Sequence, residues 1–574
     1  MTAQKRVPEN INQLWSHHVV NECVRNGITA FCISPGSRST PLTVAAARHP
    51  GTDIRMLYDE RGAAFQALGY ARATGKAAVL ICSSGTAAAN YFPAVIEAAQ
   101  ENLPMLILSA DRPPELRDSG ANQTIDQVKL FGGYTRFFQD MPPPTETISL
   151  KWLLSTINYG LSLAHSPYNA GPVHFNFMFR EPLAPVPREF SSAYATPGQN
   201  DHRPATRYLQ PVAVADKAML EPLTTIKEGF ILVGRLENPD ARRKLEKLAA
   251  HLKWPLIADI TSGLRLKKTP GILAHADLML LRRDFRELLL RHPLVHFGGQ
   301  FLSKRLLQLL ERHPGPCWHI SPWQRRVDAA LSHSHELRAD VGQTAGIWRE
   351  NSPPGAGALL GKCLQIHDDV ERTLNAFCRQ DELLDELSIA RLVSRATKQA
   401  LYLASSMPVR DMDMAAVAVD GGTEHVGANR GTSGIDGTIA SAIGYSRGLE
   451  APLTLLIGDL AFLHDMNSLA QLRDHKQAVT IVVINNNSGA IFNFLPIAEY
   501  KEVFDPFFNT PHNYEFSAAA AQFGLEYHTA HTVTELATVL EGTSSAHRLI
   551  EARVRADYNV ERHKALYRSI EDRG

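Results

Sequence analysis

A chain of 574 residues, 44% of them hydrophobic, has room for roughly three or four domains. Lys plus Arg and Asp plus Glu are equal at 59 each, which excludes a global basic field for nucleic acid and an acidic tail. Six cysteines without a CxxC pair, a polar stretch at residues 1–12 and no apolar run of the roughly 18 residues that span a bilayer predict a reduced, cytoplasmic chain without signal peptide or membrane partner.

In chain order, apolar runs at residues 30–34, 54–58, 77–82 and 105–110 read as strands, separated by helical spacing such as that of 63–73 and 86–100. A run at 173–179 ends this unit, and the Pro/Ser/Ala-rich stretch 182–204 reads as a linker. The middle third repeats the alternation more weakly, with strands at 230–233, 255–259 and 294–297 and a charged helix at 240–252. Gly234-Arg235 lacks a GxGxxG loop, so no flavin or other cofactor is expected there. A Gly/Pro-rich segment, 351–361, marks the next boundary. The last third opens on a helix at 381–398, carries runs at 452–457 and 478–484 around a helical stretch at 462–475, and closes on a run at 548–554. This alternation predicts an α/β protein of doubly wound parallel sheets.

Chemistry gathers at two strand ends in the last third. One run delivers Gly458-Asp459-Leu460, the other Asn485-Asn486-Asn487-Ser488-Gly489, and Asn486 follows Asp459 by 27 positions. The carboxyl ends of neighbouring parallel strands are where open α/β sheets bind ligands. A carboxylate, an amide oxygen and a backbone carbonyl form a hard-oxygen set suited to Mg²⁺, which keeps its remaining positions for water and phosphate. Either half alone reads as a turn. Together, at this spacing, they resemble the diphosphate-binding motif of thiamine-diphosphate enzymes. That resemblance implies an acid in a second, similarly folded domain, hydrogen-bonded to the cofactor's aminopyrimidine. Glu60, in Asp59-Glu60-Arg61-Gly62 between the run 54–58 and a small-residue helix, stands in that place. A plain first-turn charge favoured by the helix dipole would look the same in isolation. The arrangement implied is the pyruvate-oxidase-like one of three doubly wound domains. Residues 1–185 form the pyrimidine-binding domain with Glu60, 205–350 the central domain, and 365–574 the diphosphate- and Mg-binding domain.

The strand-end loops of this net-neutral chain are rich in arginine. They read SPGSRSTPL from Ser34, DRPPELR from Asp111, GANQTIDQ from Gly120, GGQFLSKR from Gly298 and NRGTSGIDG from Asn429. Arginine pairs bidentately with carboxylates, so the constellation points to substrates bearing several of them. With these segments the chain resembles the 2-succinyl-5-enolpyruvyl-6-hydroxy-3-cyclohexene-1-carboxylate synthase (MenD) family of menaquinone and phylloquinone synthesis. The resemblance covers nearly the whole chain and is weakest in the middle third. A relative of acetolactate synthase, the alternative among enzymes, binds monocarboxylates and would not require these loops. A non-catalytic thiamine-binding descendant would be marked by loss of the acid or of a metal ligand, and all are present.

The resemblance implies a thiamine-diphosphate-dependent transferase that decarboxylates 2-oxoglutarate and adds the resulting succinyl carbanion to isochorismate by 1,4-addition. Mg²⁺ is the metal, with Mn²⁺ as a substitute. Glu60 is implied as the pyrimidine activator. Asp459 and Asn486 would hold the metal by side chain and Ser488 by its backbone carbonyl. Gly458, Leu460, Ser433, Gly434 and Ile435 would contact the cofactor, with Ile435 supporting its bent form, and Ile491 and Phe492 would line the reacting face. Ser37, Arg38, Arg112, Asn122, Gln123, Lys304 and Arg305 are implied around isochorismate. Ser406, Arg410 and Arg430 are implied at the carboxylates derived from 2-oxoglutarate. The implied assembly is a homodimer or a dimer-of-dimers tetramer with active sites at the subunit interface. Three departures stand out: NNNSG replaces the commoner NNNGG, Arg430 follows Arg410 by 20 positions, a longer interval than relatives are expected to have, and Leu460 stands where the general thiamine motif has Gly.

Overall fold

The computed structural model describes residues 8–191, 194, 203–379, 382–542 and 544–573. Among them, strands form three sheets in which every neighbouring pair is parallel. The chain divides into two compact units, one drawn from 1–211, 429–450 and 467–474, the other from 212–428, 451–466 and 475–574.

The first unit holds a six-stranded sheet of β1 (Ala30–Ile33), β2 (Asp53–Met56), β3 (Val79–Cys82), β4 (Met105–Asp111), β5 (Phe137–Met141) and β6 (Pro172–Met178). Their order is β2-β1-β3-β4-β6-β5. The central strands β1, β3, β4 and β6 are buried along their whole length, as expected where helices cover both faces of a parallel sheet. Helix Glu60–Thr74 packs against helix Thr438–Leu449 nearly backbone to backbone. A Cβ at Gly69 would stand 1.9 Å from the Ser441 carbonyl oxygen, and one at Gly444 2.0 Å from that of Gln66. Any side chain at either glycine would force the helices apart. This contact fixes Glu60, at one helix start, together with the loop 429–437 that leads into the other.

The second unit holds two sheets. One orders β7 (Phe230–Val233), β8 (Leu256–Ala258), β9 (Leu294–Phe297), β10 (Cys317–Ile320) and β11 (His335–Leu337) as β11-β10-β9-β7-β8. The other orders β12 (Ala400–Leu403), β13 (His425–Ala428), β14 (Leu453–Gly458), β15 (Val479–Asn485), β16 (Glu526–Ala530) and β17 (Arg548–Arg553) as β13-β12-β14-β15-β17-β16. In the register of β14 and β15, Gly458 faces Ile484, so Asp459 and the asparagines leave adjacent strand ends together.

Several elements differ from the sequence expectation. The stretch 86–100 is two helices, Thr86–Ala89 and Phe92–Glu101, because Pro93 lacks an N–H and starts a new helix rather than continuing one. Helix Asp459–Asp465 tightens into the 3₁₀ segment Met466–Asp474. The Gly/Pro-rich boundary ends early, since helix Ala358–Cys378 begins inside it, directly after Gly357 in the left-handed region. The start of the expected linker is tied down, with Asn10, Asn12 and Gln13 donating to carbonyls of residues 180–186; positions 192–193 and 195–202 lie outside the described residues. No helix among the described residues is long and apolar enough to cross a membrane.

Candidate active site

In the first unit, Glu60 opens its helix. Asp59 caps that helix, its carboxylate accepting from the Arg61 N–H at 2.9 Å. Glu60 itself is half-buried. Burial raises its pKa, opposed by its own backbone N–H and reinforced by Asp59. An acid held toward its protonated form suits a group that shares a proton with a ring nitrogen.

The same unit gathers five of the predicted acceptor-binding residues. Arg38 is 6% exposed, donates to the Phe179 carbonyl at 2.9 Å and leaves Nε without a hydrogen-bond partner. Arg112 Nη2 donates to the Asn122 carbonyl at 2.9 Å, and its Nε is likewise buried and unpartnered. Burial first, and the neighbouring Arg112 charge second, lower the pKa of Arg38, against the pull of Glu181 and Asp111. Two guanidinium groups held this close favour an anion between them. Gln123 sits next to this pair with φ +56°, its carbonyl accepting from Ser84 at 2.8 Å. Ser37 lies in the preceding loop, exposed, its carbonyl accepting from Thr40.

The loop 429–437 is anchored by a residue that the sequence reading did not single out. Glu97 is 1% exposed and accepts from the N–H groups of Gly431 and Thr432 at 2.8 and 2.6 Å and from the Thr432 hydroxyl at 2.8 Å. Arg430 immediately precedes these bonds. Ser433 holds φ +61°, and the apolar Ile435 side chain remains 38% exposed next to Gly434.

In the second unit, Asp459 begins a helix at the end of β14 and is 2% exposed. Its Oδ1 accepts from the Leu460 N–H at 2.7 Å. Its Oδ2 lies 3.2 Å from His512 Nε2, within ion-pair reach but without hydrogen-bond geometry. Burial raises the Asp459 pKa, more than Leu460, His512 and the Ser488 N–H lower it. A buried carboxylate with an unsatisfied oxygen fits a hard cation.

Each asparagine of the motif has a separate anchor. Asn485 donates to Glu551 at 2.7 Å and to the Tyr514 carbonyl at 3.1 Å. Asn487, at φ +56°, accepts from the N–H groups of His512 and Asn513. Asn486 donates to Glu386 at 2.9 Å and accepts from the Ser488 N–H at 3.1 Å, which fixes its amide orientation. Behind it, Glu386 is 1% exposed and its pKa is pushed well up by burial and then by Asp411. Asp411 in turn accepts from His563 at 2.9 Å. Burial disfavours the charged His563 ring, yet Asp411 lifts its pKa to about 9.

A cavity of about 620 Å³ in this unit is lined by Lys304, Arg305, Arg410, Ile491 and Phe492, together with Asp413 and others. Residues predicted for both substrates and for the reacting face therefore share one space. Arg305 pairs with Asp277 and stacks over the Tyr567 ring at 4.4 Å. Ser406 precedes helix Met407–Ala415 at φ +76°, a strained conformation for a residue with a Cβ, and its carbonyl accepts from Arg410. The sequence reading missed Glu97, Glu386, Asp411, His512 and His563. All are distant in the chain from the residues they hold.

Comparison with known proteins gives this geometry a family. Residues 15–130 match the model "Thiamine pyrophosphate enzyme, N-terminal TPP binding domain", 197–403 the "Middle domain of thiamine pyrophosphate" and 412–550 the "C-terminal TPP binding domain". Three relatives bear the name 2-succinyl-5-enolpyruvyl-6-hydroxy-3-cyclohexene-1-carboxylate synthase. That of Prosthecochloris aestuarii is 42% identical over 98% of both chains. That of Chlorobium phaeobacteroides is 44% identical over 90% of both. That of Rubrobacter xylanophilus is 42% identical over 97% of this chain and 98% of its own. With thiamine-enzyme domains along its length and such relatives end to end, this chain belongs to the 2-succinyl-5-enolpyruvyl-6-hydroxy-3-cyclohexene-1-carboxylate synthase family of thiamine-diphosphate enzymes.

Proposed function

We propose that the chain joins 2-oxoglutarate to isochorismate with loss of CO₂, giving 2-succinyl-5-enolpyruvyl-6-hydroxy-3-cyclohexene-1-carboxylate for menaquinone synthesis. The near-full-length similarity to synthases of that name carries the reading. Bound thiamine diphosphate supplies the electron sink for decarboxylation and for the new carbon–carbon bond.

The chain's own residues bind, orient and exclude water. Asp459, Asn486 and the Ser488 carbonyl hold Mg²⁺, or Mn²⁺ in its place, beside the diphosphate, with Gly458 and Leu460 against it. Glu386 keeps the Asn486 amide turned so that its oxygen stays available. Glu60 shares a proton with the aminopyrimidine, and Ser433, Gly434 and Ile435 support the ring system. Ile491 and Phe492 give the reacting carbon an apolar wall, which favours loss of a charged carboxylate. Ser37, Arg38, Arg112, Asn122, Gln123, Lys304 and Arg305 bind the two carboxylates of isochorismate, while Ser406, Arg410 and Arg430 bind the donor. The domains run over residues 1–185, 205–350 and 365–574. The working assembly is a homodimer or a dimer of dimers, with Glu60 of one subunit serving the metal motif of the other; an active monomer in light scattering would refute this.

The function is tested by omission. Turnover should require 2-oxoglutarate, isochorismate, thiamine diphosphate and Mg²⁺ together. Equal turnover with pyruvate in place of 2-oxoglutarate would instead favour an acetolactate-synthase-like carboligase.

A further inference from the structure

The central sheet carries a histidine cluster that the thiamine chemistry does not use. His296 on β9, His319 on β10 and His333 in the loop before β11 lie in contact, with the His319 and His333 rings stacked at 4.6 Å between centroids. Glu336, on edge strand β11, reaches both outer rings. Its Oε2 is 2.8 Å from His319 Nδ1 and its Oε1 is 2.9 Å from His333 Nδ1.

Counting protons exposes a deficit. His319 Nε2 faces the Gly298 carbonyl at 2.9 Å, and His296 Nε2 faces that of Gly299 at 2.8 Å. Both nitrogens must donate, which leaves Nδ1 of each ring as a lone pair in the neutral form. His296 Nδ1 then accepts from His333 Nε2 at 3.0 Å, so His333 Nδ1 is also a lone pair. Two imidazole lone pairs and two carboxylate oxygens therefore point at one another. In this tautomer set neither Nδ1 donates to Glu336, and two imidazole nitrogens with one carboxylate form a ligand set that a divalent cation would satisfy, as two added protons also would.

We propose that His319 Nδ1, His333 Nδ1 and the Glu336 carboxylate bind a zinc-class divalent cation at the edge of the central sheet. The ligand atoms lie within 4.8 Å of one another, so a modest closure brings them to the roughly 3.5 Å that separates ligands around a tetrahedral ion with bonds of roughly 2.0–2.2 Å. Two nitrogens and a carboxylate suit Zn²⁺ rather than Mg²⁺, which selects all-oxygen sets. Each ligating ring has the outer partner such sites require, the Gly298 carbonyl for His319 and His296 for His333. Glu336 is 44% exposed on its side chain, so the fourth position opens to water and gives an entry path. Asp328 holds the loop in place by accepting from the Ser332 and His333 N–H groups at 3.0 and 2.8 Å. The ion clips that loop to the sheet.

The test uses full-length protein stripped with EDTA and titrated with Zn²⁺ against a chromogenic chelator. Asp459→Ala is the background, so that the catalytic motif does not compete. We expect one Zn²⁺ per chain, a raised melting temperature on adding it, and a visible tetrahedral-type spectrum with Co²⁺. Glu336→Gln should weaken binding by more than the roughly 10- to 100-fold that loss of an outer-shell partner costs. His333→Ala should abolish the Co²⁺ spectrum; should it fail to fold by circular dichroism, the exposed Glu336→Gln decides alone. No Zn²⁺ bound to the Asp459→Ala protein, or unchanged affinity in Glu336→Gln, would overturn the assignment.

Discussion

Two carboxyl groups carry opposite tasks, and their surroundings differ accordingly. Glu60 is half-buried at a helix start with its pKa raised, suited to holding a proton. Glu60→Gln should keep the fold and bind thiamine diphosphate, yet lose turnover on the order of 10²-fold or more, the scale of general acid–base catalysis. Near-normal decarboxylation of 2-oxoglutarate by this variant would remove Glu60 from the mechanism. Asp459 is 2% exposed with one oxygen unsatisfied, suited to a cation instead. Asp459→Ala should lose Mg²⁺ and thiamine diphosphate together, read by calorimetric titration. Unchanged cofactor affinity, also insensitive to EDTA, would reduce the Gly-Asp turn to a structural one.

At the scale of elements, strand ends and helix starts bring the arginines to two places. Arg38 and Arg112 meet in the first unit, and Lys304, Arg305 and Arg410 line the cavity of the second. Ala variants of Arg38, Lys304 and Arg305 should still release CO₂ from 2-oxoglutarate in a single turnover, and fail at the isochorismate step. The loss per charged contact is roughly 1.5–3 kcal/mol, or about 10- to 150-fold. Arg430→Ala should weaken CO₂ release itself. The reverse pattern would exchange the two substrate assignments. The elements legible in the sequence were those with unbroken apolar runs, such as β3, β4, β14 and β15. Among the strands the sequence did not show, β11 has no buried position and β5 and β16 have one each, so no apolar run marks them, whereas β10 and β13 are mostly buried but only four residues long. β12 is fully buried but follows a helix after only a short break, and its four residues merge with the helical stretch before it.

For the molecule as a whole, the same distinction separates what a chain can announce from what only its fold assembles. Asp459 and Asn486 were readable because each sits at the end of its own apolar strand. Glu386, 100 positions before Asn486, and Glu97, 334 before Gly431, act through tertiary contact and leave no local pattern. The histidine cluster was invisible for a related reason, since its members come from three strands or their loops rather than from a compact ligand motif. The reaction itself is most directly tested by stoichiometry. With 2-oxoglutarate labelled at its 1-carboxylate, the protein should release one labelled CO₂ for each isochorismate consumed and each product molecule formed. Labelled CO₂ released at the same rate whether or not isochorismate is present, with no isochorismate consumed, would contradict the account.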